Sequence, residues 1–225
     1  DALIETKDMK KDDAIFNVLR EYIKETKAIL FEGNGYSDEW QVEAGKRGLS
    51  NNKNTPAALK ALTDKKVADL FSELNVLNHT ELHARYEIEL EEYIKKLQME
   101  GRILGEMATS YVVPTVIRYQ NILLENVKGL KEALGKDADG LLKEQLDLIK
   151  EISQYIKEIY VNVENMTEER KKANNIEDVE KRADAYCNNV KPYFETIRYN
   201  CDKLELIVDD EEWSLPKYRE LLFIK

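Results

Sequence analysis

The sequence predicts an all-α protein, a helical bundle built on one very long kinked helix with antiparallel partner helices. Three observations predict it. Apolar residues recur every three or four positions over most of the chain, which is the period of a helix face. Only 9 glycines and 4 prolines occur in 225 residues, and 35% of residues are charged, the usage of solvated helices rather than of strands joined by many turns. Finally, the stretch from Thr80 to Leu134 keeps one apolar stripe going for roughly 55 residues, which at about 1.5 Å per residue would span on the order of 80 Å. A strut of that length needs partner helices.

Composition narrows the function classes. A hydrophobic content of 43% supports a packed core. The 34 Lys and Arg against 44 Asp and Glu leave a net charge of −10, which argues against nucleic acid and against an anionic membrane as partners. Charges interrupt every apolar segment, so nothing approaches the ~20 apolar residues of a membrane span, and no signal peptide is expected. Cys187 and Cys201 fall on one helix at a separation of roughly 20 Å, too far apart for a disulfide. Reduced thiols and a cytoplasmic location are the expectation. The chain opens at Asp1 without a methionine and already in helical pattern (DALIE), as expected of a piece of something longer.

From Asp13 to Phe31 the residues Ile15, Val18, Leu19, Tyr22, Ile23, Ile29 and Leu30 mark an amphipathic helix, with Asp12 or Asp13 as its cap. Gly33-Asn34-Gly35, three residues that tolerate positive φ, should end it. Ser37 then caps a short helix that carries Asp38 and Glu39 in its first turn and stops at Gly48. Leu49 to Thr55 reads as a surface connector. Thr55-Pro56 starts a helix to Leu62, and another runs from Thr63 to about Leu74. Leu59, Leu62, Val67, Leu70, Phe71 and Leu74 make their packing face.

The long helix begins at Asn78 or Thr80, Asn78 and Glu81 having the spacing of a capping box. Its seam is expected at Leu82, Tyr86, Leu90, Tyr93, Leu97, Leu104, Met107 and Tyr111. Pro114 removes an amide donor and should bend the helix, after which the seam resumes at Ile117, Leu124, Val127, Leu130 and Leu134. Gly101 and Gly105 leave a notch where another backbone can come close. The tight turn from Gly135 to Gly140 forces the next helix antiparallel. That helix carries Leu141, Leu142, Leu148, Ile149, Ile152, Tyr155, Ile156, Ile159 and Val163, and the polar run Met166 to Asn175 reads as a turn. A last stripe, Val179, Ala183, Tyr186, Val190, Phe194, Ile197, Cys201, Leu204 and Val208, is bent at Pro192. The acidic run Asp209 to Glu212 ends it, and a short closing helix follows Pro216. The two cysteines lie in the seam and read as small buried hydrophobes.

Few constellations suggest chemistry. Gly33-Asn34-Gly35 leads into a helix N-terminus, as phosphate-binding loops do, yet no cation follows while Asp38 and Glu39 already occupy the positive end of the dipole. It reads as an ordinary turn. His79 and His83 are one helical turn apart, with Glu87 one turn further on. The Glu that a metalloprotease pattern places directly after the first His is replaced by Thr80, so a solvated first turn is the better reading. No Glu-x-x-His pair of a di-iron bundle occurs. Glu91 and Glu92 pair with Lys95 and Lys96 along a solvated face. Arg118-Tyr119-Gln120-Asn121 reads as a helix flank beside the kink. No catalytic, cofactor-binding or metal-binding residue is assigned.

Five segments carry a family resemblance. GNGYSDEWQVEAGKRGLSN (Gly33 to Asn51), TPAAL (Thr55 to Leu59), EIELEEYIKKLQMEGRILG (Glu87 to Gly105), PTVIRYQN (Pro114 to Asn121) and ENVKGLK (Glu125 to Lys131), in this order, resemble the C-terminal portion of type III glutamine synthetases. The likeness covers residues 1–134 and rests from Gly135 onward on helical character alone. It implies a parent enzyme that joins ammonia to glutamate with ATP and a divalent metal (Mg or Mn), inside a homo-oligomer. The parent's metal, nucleotide and glutamate contacts would lie upstream, with none in this fragment. The resemblance further implies that 1–78 are the last helices of the catalytic domain and 79–225 a helical C-terminal extension. The expected role is noncatalytic: subunit assembly, or shaping of the active-site mouth. The alternative is a free-standing helical adaptor that binds a partner's helix in the Gly101 and Gly105 notch.

Overall fold

A computed structural model describes residues 9–223 of the chain. The DALIE pattern lies outside the described residues. The chain divides into two compact units, Asp1–Asn52 and Lys53–Lys225.

In the first unit, helix α1 spans Lys11–Thr26. Asp12 and Asp13 sit inside its first turn rather than capping it, where they complement the dipole. The helix stops sooner than its apolar stripe, at Thr26, whose hydroxyl donates back to the Tyr22 carbonyl at 2.6 Å. A 3-10 turn, Lys27–Ile29, follows. The Gly33-Asn34-Gly35 turn needs no positive φ: among the described residues only Gly48, Asn75 and Gly135 adopt one. Hydrogen bonds hold it instead, Tyr36 N–H donating to Asn34 Oδ1 at 3.0 Å and Ser37 N–H to the Asn34 carbonyl at 3.0 Å. Helix α2, Asp38–Lys46, is capped by Ser37. Gly48 closes it at φ 70° while Leu49 N–H bonds the Ala44 carbonyl at 2.9 Å.

The second unit opens with α3, Thr55–Leu59, whose cap is Asn54 rather than Thr55. A 3-10 turn, Lys60–Thr63, leads to α4, Lys65–Glu73, capped by Asp64. Leu59 and Leu62 pack on the core, but Leu70 and Leu74 are exposed, so only part of the expected packing face is used. Helix α5, His79–Met107, begins in a complete capping box: Asn78 accepts from Glu81 N–H at 2.9 Å and Glu81 accepts from Asn78 N–H at 2.8 Å.

Pro114 does not break the strut. A π turn, Ala108–Val112, joins α5 to α6, Val113–Leu134, and its closing bond runs from Val113 N–H to the Ala108 carbonyl. A widened turn relieves the clash a proline ring makes with the carbonyl four residues back, and inserts one extra residue. The buried seam already leaves the expected heptad at Gly105, ahead of this turn. It runs through Leu82, Tyr86, Leu90, Ile94, Leu97, Gly101, Gly105, Ala108, Val112 and Val116, advancing mostly by fours. Met107, Tyr111, Ile117, Leu124 and Leu134 are exposed.

Gly135, at φ 57°, ends the strut, and a 3-10 turn, Gly135–Ala138, brings the chain to α7, Lys143–Asn174. Leu142 is buried there while Leu141 is exposed. Gln120 donates to the Ile149 carbonyl and Ser153, and Asn126 to Gln145. Numbering thus falls on one helix as it rises on the other, as antiparallel packing requires. The run Met166 to Asn175 is helix, not turn, up to Asn174. Met166 and Ala173 are buried against the core, and Glu168–Lys171 and Glu169–Lys172 pairs support the solvent side.

Asp178 caps α8, Val179–Ala185. A second π turn, Tyr186–Val190, precedes Pro192, the first residue of α9, Pro192–Ile207. Lys191 N–H donates to the Tyr186 carbonyl at 2.9 Å. Both prolines thus stand two residues beyond a π turn. All nine residues of the last expected stripe are buried or half-buried. A C-terminal strap then crosses the bundle, with Trp213 and Leu215 on the core and Ser214 within 3.1 Å of the buried Thr115 hydroxyl. It ends in a 3-10 turn, Tyr218–Leu222.

Candidate docking surfaces

The residues singled out for chemistry are dispersed. His79 faces the half-buried Asp69 at 3.4 Å and His83 faces Glu87 at 3.8 Å, the two histidines and Glu87 being exposed. Among the described residues no three His, Cys, Asp or Glu gather as a metal group. Cys187 and Cys201 are free and half-buried, and burial pushes the Cys201 thiol up to about 12, leaving it protonated. Arg118 donates to Thr115 at 2.8 Å and lies 3.8 Å from Glu212, and Gln120 is bound to α7. That flank is committed to contacts within its own unit.

The Gly101 and Gly105 notch is filled from within. A Cβ on Gly101 would lie 3.1 Å from the Phe194 ring and 3.5 Å from Met166 Sδ. One on Gly105 would lie 3.3 Å from Val163. The two glycines admit the side chains of α7 and α9, and no room is left for a partner's helix.

A polar cluster ties the 3-10 turn Lys60–Thr63, α5 and α8 together. Lys60 Nζ lies 2.6 Å from Glu180 and 4.0 Å from Asp184. The Lys60 hydrogen bond holds the Glu180 carboxyl below its ordinary range. The buried Tyr86 hydroxyl faces Glu180 without reaching hydrogen-bond geometry, and burial first, then Glu180, pushes it up to about 12. These are fixed, exposed-rim or buried groups with structural partners, not an acid and base poised over a cleft.

What stands out instead is exposed apolar surface. In the first unit α1 buries only Ala14, whereas Phe16 (66% exposed), Leu19, Tyr22 and Ile23 stand in solvent at helical spacing. Tyr36 is 98% exposed at the tip of a turn locked by Asn34 and Ser37. Behind that turn Phe31 packs on Trp40 with centroids 4.6 Å apart, a contact that requires glycine at 33, since a Cβ there would lie 2.5 Å from the Phe31 ring. Arg47 adds a bond to the Leu30 carbonyl at 2.7 Å. A rigid turn that holds out an aromatic ring suits an interface anchor.

In the second unit the long helix exposes Met99, Ile103, Met107 and Tyr111 in steps of four. Ile103, Met107 and Tyr111 border a groove of about 330 Å³ closed on its far side by Leu215. An adjoining groove of about 200 Å³ runs under the strap between Leu104, Cys201 and Trp213. The heptad count steps from Gly101 to Leu104 and so places Met107 and Tyr111 in the core, whereas the buried face steps from Gly101 to Gly105 and so to Ala108 and Val112.

The sequence model of the glutamine synthetase C-terminal domain matches residues 14–131, from α1 to the end of the strut. The chain belongs to this family. Relatives extend the match. A glutamine synthetase of Bacteroides fragilis (strain YCH46) is 46% identical over 216 residues, covering 96% of this chain and 30% of its own length. One of Butyrivibrio fibrisolvens is 30% identical over 215 residues, 94% of this chain and 30% of that protein. A type-3 glutamine synthetase of Dictyostelium discoideum is 27% identical over 224 residues, again at 30% of its length and 99% of this chain. The chain therefore spans 30% of the length of these relatives, and the likeness continues past Leu134 through α7 and α9. Among the described residues no helix is long and apolar enough to cross a membrane.

Proposed function

We propose that the chain is the noncatalytic helical part of a glutamine synthetase whose longer remainder ligates ammonia to glutamate, using ATP and Mg or Mn held by that remainder. In this reading it works in a homo-oligomeric cytoplasmic enzyme by docking its apolar faces onto the rest of the protein, for subunit assembly or for shaping the active-site mouth. The observation that carries the proposal is the coupling of 96% coverage of this chain with 30% coverage of a glutamine synthetase. It is supported by α1, which holds Phe16, Leu19, Tyr22 and Ile23 in solvent at helical spacing, as an unpartnered docking face would. The adaptor reading loses its main support, since the notch it relied on is occupied by Met166, Val163 and Phe194.

The test is made in the full-length enzyme. Leu19→Asp with Tyr22→Asp is expected to lower the particle mass in light scattering, or to raise KM while the particle stays intact. Unchanged mass and unchanged kinetics would remove the docking role. If the 225 residues alone bind ATP and form γ-glutamyl hydroxamate, the noncatalytic assignment is lost.

A further inference from the structure

We infer that the Asn34–Gly35 turn is a site of spontaneous covalent modification, at which the Asn34 carboxamide is converted to an aspartyl or isoaspartyl group. The inference stands on the turn's own geometry and does not depend on the docking proposal.

Asn34 is exposed and is the one asparagine of this chain followed by glycine. Gly35 has no Cβ to obstruct its own nitrogen, and a Cβ built there would meet nothing within 4 Å, so the backbone has open space in which to move. Among the described residues the Gly35 N–H is engaged in no hydrogen bond, whereas its neighbours Tyr36 and Ser37 both donate to Asn34. The Tyr36 N–H donates to Asn34 Oδ1 at 3.0 Å. This side-chain turn folds the carboxamide back over the Gly35 peptide and polarises its C=O, making Cγ the more electrophilic.

The chemistry needs only water. The Gly35 nitrogen attacks Asn34 Cγ, an N–Cγ bond forms, the Gly35 proton passes to the departing nitrogen, and ammonia leaves as the Cγ–Nδ2 bond breaks. Water then opens the five-membered imide at either carbonyl. Opening at the backbone side gives isoaspartate, in which the main chain runs through the former side chain, and opening at the other side gives aspartate. No oxidation or reduction occurs. Each product adds one negative charge three residues before Ser37, and the isoaspartyl product displaces the carbonyl that now accepts from Ser37 N–H and, at 2.9 Å, from Ser37 Oγ. The cap of α2 and the presentation of Tyr36 both depend on those bonds.

The experiment is incubation of the native protein in mildly alkaline buffer made with heavy-oxygen water, followed by trypsin and mass spectrometry. Cleavage after Lys27 and Lys46 yields a peptide in which Asn34 is the sole asparagine. The expected result is loss of its amide, with incorporation of label, before any change at Asn51, Asn174 or Asn188, and slowing by an order of magnitude in Gly35→Ala. Equal rates in Gly35→Ala and the native sequence would overturn the inference. So would persistence of the Asn34 amide in the native protein while the synthetic peptide 28–46 converts.

Discussion

Glycines at two positions of the strut show how residue-level effects divide. At Gly101 a side chain would press on Phe194 at 3.1 Å and on Met166, whereas at Gly129 it would meet nothing within 4 Å. Gly129→Ala is therefore expected to stabilise the protein by about 0.5–1 kcal/mol through helix propensity, and Gly101→Val to destabilise it by about 1–3 kcal/mol through overpacking. Urea titrations of the two variants check both signs. Tyr86 gives a pH prediction. Its hydroxyl is raised from 10.0 to about 12 in the fold by burial, so the unfolded chain loses that proton first. The stability it contributes is complete below pH ~10 and is lost as pH rises toward about 12, by at most about 1.4 kcal/mol per pH unit. Tyr86→Phe should flatten the alkaline limb of the stability curve, and an unchanged limb would count against the burial argument. Residue identities of this kind were partly legible: Asn78 and Glu81, Ser37, and Gly48 announced their caps by type and spacing. The cap at Asn54 was misplaced by one residue because Thr55 has the same chemistry.

At the scale of elements, the two π turns are the main departure from what periodicity foretold. Proline in the interior of an α-helix costs about 3 kcal/mol or more when the clash is unrelieved. Here each proline follows a turn that has one residue too many, Ala108–Val112 before Pro114 and Tyr186–Val190 before Pro192. The extra residue is tolerated because Ala108, Val112, Tyr186 and Val190 are all buried by it. Two substitutions separate cause from consequence. Pro114→Ala, which returns a donor to an already relieved turn, is expected to change stability by about 1 kcal/mol or less. Deletion of Ser110 is expected to cost about 3 kcal/mol or more, since it restores the clash and rotates one half of the seam away from the core. Denaturant midpoints of the pair decide this, and equal effects would mean that the turn and the proline are not linked.

In the second unit α5 and α6, α7, and α8 with α9 share one apolar core that includes Leu90, Ile152, Ile159, Ile197 and Leu204. Residues 53–225 on their own are expected to unfold cooperatively with the denaturant midpoint of the main transition of the full chain, because the described residues of that core all lie within 53–225. A broad or missing transition, followed by circular dichroism, would show that the first unit is needed for folding. Among the described residues of the first unit, Ala14 and Ala44 are the buried apolar ones. Its exposed helix and Tyr36 are the reason to look for its function at an interface rather than in a cleft.

The sequence by itself determined the helical class, the order of the helices, the end of the strut at Gly135, the last stripe from Val179 to Val208, and the family. Each of these rests on local chemistry: periodicity, caps, turn residues and composition act within a few positions of where they are read. Only the tertiary structure decided that Pro114 and Pro192 are absorbed by π turns, that Met107 and Tyr111 face outward, and that Met166 to Asn174 stays helical. It alone showed that the glycine notch is filled by α7 and α9. The physical reason is common to all four. Each depends on which side chains from distant parts of the chain compete for the same buried volume, and a one-residue change of register costs nothing in local propensity while exchanging every residue of a helix face.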